Sequence, residues 1–175
     1  IAGAVAIQSS DDDVTARIQD STLTQIADEA GAFTVQALKS GERTAVATGI
    51  SANLSIGSAT SLSVVGSVSI THVKDDVAAS LEDSTVTGIT ANATALDPTV
   101  VAYDRTRVGA GGGALSVSTG KGSAGIGAAI SIVDHEGSTS ALLSGGNMTQ
   151  VHDLSVAALS SQKVVGVGAV GGVQT

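Results

Sequence analysis

The stretch that decides the fold is GAVAIQSSDDDVTARIQDSTLT at residues 3–24, which recurs as GSVSITHVKDDVAASLEDSTVT at residues 66–87. The two segments align without a gap at a shift of 63 and are identical at 11 of 22 positions. A third copy follows after a further 62 residues, where Ile130 replaces Val68. Self-similarity at a fixed period is the signature of repeat architectures, and it therefore outweighs any local propensity.

The repeat organises the whole chain of 175 residues as a single domain. Its units run over about 1–63, 64–125 and an incomplete 126–175. Because the third unit is incomplete, we expect the domain to be part of a longer chain.

Apolar and polar residues alternate within each unit, as in FTVQA at residues 33–37 and LSVAA at 154–158. A period of two is typical of strands with one buried face, and helix start and stop signals are nearly absent. Asp-Ser-Thr at residues 20–22 and 83–85 fits a corner between strands, and Gly-Gly-Asn stands there in the third copy. We expect the acidic run Asp11–Asp13 to be a solvent-exposed turn.

These patterns predict an all-β fold, a parallel β-helix or solenoid. A coil of about 21 residues, with three short strands and three turns, suits such a fold, so each repeat of 62–63 residues would make three coils. The competing fold is a β-sandwich or barrel with many hairpins. The absence of any Asn-Gly or Asp-Gly pair argues against it.

Composition excludes several classes of protein. Hydrophobic residues make up 42% and charged residues 14%, which is not the balance of a disordered chain. A net charge of -8 argues against nucleic-acid binding, which depends on neutralising phosphates. Without cysteine there is no disulfide, zinc-thiolate site or iron–sulfur cluster. With one Phe, one Tyr and no Trp, the core must consist of small and β-branched side chains between closely spaced backbone layers.

The repeat resembles that of a known family. GAAISIV at residues 127–133, then a polar loop and a segment such as ASLEDSTVT at 79–87, is similar to the repeats of filamentous-haemagglutinin-like and leukotoxin-A-like adhesins of Gram-negative bacteria. The resemblance covers nearly the whole chain and rests on repeated structural positions. It implies a right-handed parallel β-helical shaft, secreted or displayed at the cell surface.

From the resemblance we expect a non-enzymatic structural or adhesive shaft segment that needs no cofactor. Its partners would be host or environmental glycans or proteins, or other copies of the chain joined end to end or side by side. No nucleic-acid partner is expected, and no apolar run reaches the about 20 residues that span a membrane as a helix. Two alternatives stay open: a subunit of a self-assembling extracellular β-helical filament, and a carbohydrate-active β-helix enzyme.

The segment at residues 97–107 departs most from the other units and holds the candidate ligand contacts Tyr103, Asp104, Arg105 and Arg107. Carboxylate, guanidinium and aromatic groups together suit the recognition of an acidic sugar. Alternation puts Tyr103, Arg105 and Arg107 on one strand face, which is most simply a solvated outer face.

Two further motifs have weaker support. Asp11, Asp12 and Asp13 are the best trio for calcium, which takes carboxylate oxygens, although a solvated acidic loop explains them more simply. GKGSAG at residues 120–125 spells G-x-G-x-x-G, but a strand-like run follows it where a dinucleotide site needs a helix. We therefore interpret the recurrent glycines as architecture, placed where backbones crowd.

Overall fold

The computed structural model describes residues 1–25, 31–54, 60–88 and 96–174. Within these ranges the chain forms ten strands, and no helix long and apolar enough to cross a bilayer is found among them. The strands are β1 (Ala2–Gln19), β2 (Thr22–Thr24), β3 (Gly31–Leu54), β4 (Leu62–Glu82), β5 (Thr85–Thr87), β6 (Leu96–Thr119), β7 (Ala124–Ser144), β8 (Asn147–Thr149), β9 (Ser155–Ser160) and β10 (Lys163–Gln174).

All strand pairs are parallel and form three sheets, which confirms the prediction of an all-β fold with parallel strands. The first sheet has the order β1-β4-β7 and the second has the order β3-β6-β10, with β9 also paired to β6. The third sheet is short and has the order β2-β5-β8. The first and second sheets pack face to face, since β4 contacts both β3 and β6.

The register shows that one sequence repeat makes one rung of the stack. In the first sheet Ala2 pairs with Val65, and Leu62 pairs with Ala124. The shift between paired residues is 62 or 63 in the first sheet, 65 between β3 and β6, and 56 between β6 and β10. The predicted coil of about 21 residues, three to a repeat, is therefore wrong.

The physical reason for this difference is the length of the strands. The acidic run Asp11–Asp13 does not turn but continues β1, which extends over 18 residues, so the prediction of a turn there is wrong. Because the strands are long, one repeat passes only once through the sheets before the next rung begins. We call the two large sheets, packed face to face, the slab. Alternation continues through the acidic run, with Asp12 facing inward and its two neighbours outward.

The predicted corners are confirmed. Asp20 and Asp83 adopt the left-handed region at φ 50° and 47°, and Gly145 and Gly146 take φ 63° and 75° in the third copy. Ser84 Oγ accepts a hydrogen bond of 3.2 Å from the amide of the preceding rung and donates one of 2.7 Å to the Glu82 carbonyl. Asp and Gly are the residues that tolerate this conformation best, so both sequences form the same corner.

Between the two large sheets the interior has three zones along the strands. The core zone comprises residues 77–82 and 96–102 with their register partners, and its inward side chains are apolar except for Thr139 of β7. The third sheet adds Val86, which is fully buried, with Leu23 and Met148 beside it. The buried members of this cluster are Val35, Ala37, Val77, Ala79, Leu81, Val86, Leu96, Val100 and Ala102.

The thin zone lies at the opposite end, in residues 62–71 and 108–119 with their register partners. Here the two sheets approach closely: a Cβ added to Gly49 would lie 2.7 Å from the Gly66 carbonyl oxygen. Only small side chains fit, as predicted from the shortage of aromatic residues. The fully or nearly fully buried hydroxyl side chains of this zone are Ser63, Ser67, Ser69, Thr71, Ser116 and Ser118.

Candidate functional site

The central zone, residues 72–76 and 103–107 with their register partners, carries the predicted ligand contacts. Tyr103, Arg105 and Arg107 alternate with buried residues of β6 and lie together on the outer face of the second sheet. The register places Glu42 on one side of Arg107 and Lys163 on the other. We call Arg105, Arg107 and Lys163 the basic strip.

The cations of the basic strip form no ion pair with the carboxylates that the structure describes. Among the described residues, no carboxylate oxygen lies within 4.0 Å of these three side chains. Most other basic residues are paired, since Arg17 contacts Glu82 at 2.9 Å and Arg43 contacts Asp12 at 2.7 Å, whereas Lys121 on the turn before β7 has no ion pair among the described residues. In a chain with a net charge of -8, three adjacent unpaired cations form an attractive site for an anionic group.

Asp104 is not part of this outer group. It faces inward, is 0% exposed, and accepts hydrogen bonds from Thr106 Oγ1 at 2.6 Å and from Gln162 Nε2 at 2.8 Å. A ligand on the outer face cannot contact a carboxylate that lies inside the slab. The structure thus brings three of the four predicted contacts together and separates the fourth from them.

A groove with a glycine floor continues from the basic strip into the thin zone. Gly109, Gly111 and Gly113 form its floor on the outer face of the second sheet. Its volume beside the basic strip is about 330 Å³. The side chains that wall it, taken from the register partners on each side, are Thr44, Val46, Thr48, Val165, Val167 and Ala169. We call this feature the glycine groove.

Crowding does not require glycine at positions 109 and 111 of the floor, although Gly113 is tighter, with an added Cβ 3.3 Å from Thr48 Cγ2. A Cβ added to Gly111 would meet only Val46, at 3.6 Å, which is ordinary van der Waals contact. The prediction that glycines mark crowded backbone holds instead for inward Gly112, where a Cβ would lie 3.0 Å from the Ile130 carbonyl oxygen. Because glycine weakens a strand, two outward glycines with room beside them, Gly109 and Gly111, indicate that the open groove itself matters.

The outer face of the first sheet carries an apolar band in the thin zone. Its residues on the edge strands β1 and β7 are exposed although they are large, with Ile7 70% and Ile132 46% exposed, whereas Val68 and Ile70 on the middle strand are partly buried. The alternation in AVAI, SVSI and ISI signalled these positions, but the sequence pattern alone did not tell which face would be covered. The members of the apolar band are Val5, Ile7, Val68, Ile70, Ile130 and Ile132.

An acidic strip follows the apolar band within the central zone. Lys74 and His72 also lie on this strip: Lys74 is 3.7 Å from Asp76 and 4.0 Å from Asp11, and His72 Nδ1 is 3.0 Å from Asp134 Oδ2. A hydrogen bond from the Ser138 hydroxyl holds the pKa of Asp76 below its usual range. The carboxylates that form the acidic strip are Asp11, Asp13, Asp76, Asp134 and Glu136.

The calcium candidates do not converge. Asp11 and Asp13 point outward, whereas Asp12 points inward to Lys39 at 3.2 Å and Arg43 at 2.7 Å. The hydrogen bond from Ser10, followed by those from Arg43 and Lys39, lowers the pKa of Asp12 to about 2. Asp12 is thus a structural anion that holds the interior cations.

Lys39 links Asp12 to Asp75 inside the slab, and sequence reasoning missed this contact. Its Nζ atom hydrogen-bonds to Asp75 Oδ1, and both side chains are almost fully buried. The signal was present, because Lys39 continues the inward series of Phe33, Val35 and Ala37. His135 Nε2 lies 3.6 Å from the other Asp75 oxygen, on strand β7 instead of in the predicted loop.

Two other motifs of the sequence have clear places in the fold. The glycine motif at residues 120–125 forms a turn, with Gly122 at φ 75°, and leads into β7 as the predicted strand. Among the described residues, the one group with three converging metal-ligand atoms is Asp97, His152 and Asp153, all exposed. Exposed acidic groups of this kind are common without a metal, and we assign no site there.

Comparison of the chain with protein-family models, with curated proteins and with solved structures gave no match.

Proposed function

We propose that the chain is a non-enzymatic structural or adhesive shaft segment of a large secreted or cell-surface repeat protein, built as a right-handed parallel β-helix. The observation that supports this proposal is the stacking of consecutive repeats in parallel register, one repeat to each rung. Each added repeat can form the same backbone hydrogen bonds with the preceding rung, so the stack can lengthen without a change in its architecture.

The interior supports a mechanical role more than a chemical one. Asp104, the carboxylate among the candidate ligand contacts of the divergent segment, is fully buried and hydrogen-bonded. The outer face offers cations and one aromatic ring, which suit binding to host or environmental glycans or proteins. We therefore favour the shaft over the enzyme.

The shaft proposal is tested by adding a rung. A second copy of residues 64–125 inserted after residue 125 places a new β4–β5–β6 unit between existing neighbours. Because solenoid stability is approximately a sum of repeat and interface terms, we expect the longer chain to unfold cooperatively at a higher temperature. Unfolding of the insert as a separate, weaker transition, followed by circular dichroism, would contradict the proposal.

The alternative of a self-assembling filament is favoured by the open end of the second sheet. Inward Val170 of β10 is 57% exposed, whereas its register partner Ala114 is 4% exposed. Unpaired strand edges with uncovered inward side chains are templates for another chain. A further rung, from this chain or from another copy, would cover them.

A matched pair of variants tests end-to-end growth. Val170→Lys places a charge where a further rung would bury it, and we expect it to abolish concentration-dependent fibres seen by electron microscopy. Val167→Lys is the control, because Val167 is on the same strand and 56% exposed but faces outward. Fibres of equal length from both variants would exclude end-to-end growth through this edge.

A further inference from the structure

We propose that the two outer faces of the slab bind each other between copies, the first sheet of one copy docking on the second sheet of another. The apolar band would lie in the glycine groove, and the acidic strip would lie against the basic strip. This inference rests on the proposed function and deepens it, because it names a second copy of the chain as the partner of the outer faces.

The thin zone carries small side chains on its inner face and large aliphatic side chains on its outer face. On the middle strands β4 and β6 its inward side chains are Ser, Thr, Gly, Ala and Val, whereas valines and isoleucines of the first sheet lie on the outer face. Val5 is 69% exposed, yet inward Ser69 is 0% exposed. Contiguous exposed aliphatic surface is uncommon on monomeric proteins and marks an interaction face.

The second argument is the alignment of the two faces through the slab. Thr71 Oγ1 of the first sheet donates a hydrogen bond of 2.6 Å to the Gly109 carbonyl of the second. Ser116 Oγ likewise donates one of 3.1 Å to the Ser63 carbonyl, so the strands run antiparallel across the interior. Residue 70 therefore backs on to Gly109.

This alignment places aliphatic side chains of the first sheet's outer face opposite glycines of the second sheet's outer face. Ile70 stands on β4, the middle strand of the first sheet, and Gly109 lies on β6, the middle strand of the second. Two residues along, Val68 backs on to Gly111 in the same way. A second copy translated perpendicular to the slab thus brings Ile70 and Val68 over the glycine floor, where no side chain opposes them.

The opposite charges of the acidic strip and the basic strip also support this contact. The same translation lays the acidic strip over the basic strip, because both belong to the central zone. In the last rung Gly166 of β10 faces Val133 of β7, with a separation of 3.9 Å from an added Cβ. Asp134 and Lys163, on the outer surfaces beside this contact, would meet between copies. The unpaired cations of the basic strip would then gain anionic partners.

A second copy is the occupant that these arguments select. Both complementary surfaces are on this chain, in the same order along the strands, and a translation joins them. Such a contact is heterologous and does not close, so it produces side-by-side stacks of shafts. Each added rung contributes another equivalent contact, so the association strengthens with shaft length.

The test uses Val170→Lys as the parent chain, since this change blocks end-to-end growth while leaving the outer faces intact. We expect the parent to associate reversibly in sedimentation velocity, more weakly at high salt. Adding Val167→Lys to the groove wall should abolish association. Gly111→Ala fills the groove without a backbone clash and should weaken it, with an unchanged circular dichroism spectrum.

A charge exchange provides the sharpest evidence. Lys163→Asp in the parent should weaken association about tenfold, and adding Asp134→Lys should restore it, because every contact then has the reversed pair. Lys121→Asp on the exposed turn is the control and should have no specific effect. A monomeric parent, or association that none of the groove and charge variants alters, would overturn the lateral contact. Neither result touches the shaft proposal, whose test is the added rung.

Discussion

The core zone and the thin zone are made by the same strands, yet they place large side chains on opposite faces. In the core zone Leu81 is 1% exposed and fills the space beside the third sheet. In the thin zone Ser69 takes the inward position of the same strand, while Ile70 beside it faces out. The third sheet separates the two large sheets at one end only, so the space for inward side chains shrinks along each strand.

Alternation alone therefore does not identify which face of a strand is covered by the opposite sheet. The period of two is equally regular in both zones, because inward-facing and outward-facing residues alternate along the whole of each strand. What decides the covered face is the distance between the sheets, which depends on residues far away in the chain. The outward aliphatic residues of the thin zone are then available for contact between copies.

The largest expected effect separates the two zones by truncation. Leu81→Ala removes a buried core-zone side chain and should lower the free energy of unfolding by about 2–5 kcal/mol. Ile132→Ala removes a similar volume from the outer face of the thin zone and should cost about 1 kcal/mol or less in the isolated chain. Urea unfolding of both variants measures the difference, and equal losses would break the distinction between the zones.

The second prediction concerns glycines on the two faces of the thin zone. Gly49→Ala puts a Cβ 2.7 Å from the Gly66 carbonyl oxygen, so the sheets must move apart at a cost of about 1–3 kcal/mol. Gly111→Ala has ordinary contacts on the outer face and should leave stability unchanged or slightly raised. A loss of stability in Gly111→Ala as large as in Gly49→Ala would show that the groove floor is crowded.

The smallest expected effect is the change of folding stability with pH that Asp12 of the central zone contributes. The folded pKa of Asp12 is lowered from 3.8 to about 2, so the folded state binds fewer protons there than the unfolded state. The stabilisation is present above about pH 4 and is lost as the pH falls towards 2. Thermal unfolding across this range should show the stability gap between the native chain and Asp12→Asn closing with acid.

The matched control for this prediction is Asp13→Asn, which removes an equal charge from the outer surface. A gap between the native chain and Asp12→Asn that stays constant from neutral pH to acid would exclude the contribution of Asp12. A gap that widens with acid would reverse the sign of the linkage and would equally contradict the account.

Much of the fold was predictable because it depends on short-range patterns. The repeat, the alternation and the corners at Asp20 and Asp83 follow from local sequence, and the structure has each of them. The rung length was not predictable in this way. Asp11–Asp13 has the composition of a turn, but pairing with β4 and the contacts of Asp12 with Lys39 and Arg43, 27 and 31 residues away, hold it in a strand.

The candidate site was predictable in part for the same reason. Alternation correctly grouped Tyr103, Arg105 and Arg107, and applied strictly it would have placed Asp104 inside. Lys163, the third cation of the basic strip, reaches Arg107 only through the register between β6 and β10. No local pattern joins these two residues, because the pairing depends on how the third unit closes on the second.

The pairing of each repeat with the next as a single rung can be measured with an introduced cysteine pair, because the chain has no native cysteine. Ser69 and Ser131 are register partners whose hydroxyl oxygens are 3.1 Å apart. Ser69→Cys with Ser131→Cys should form a disulfide rapidly under mild oxidation. Ser69→Cys with Ala141→Cys, far along the same strand, should not. If the Ser69–Ser131 pair oxidised no faster than this control, the single-rung register would be contradicted.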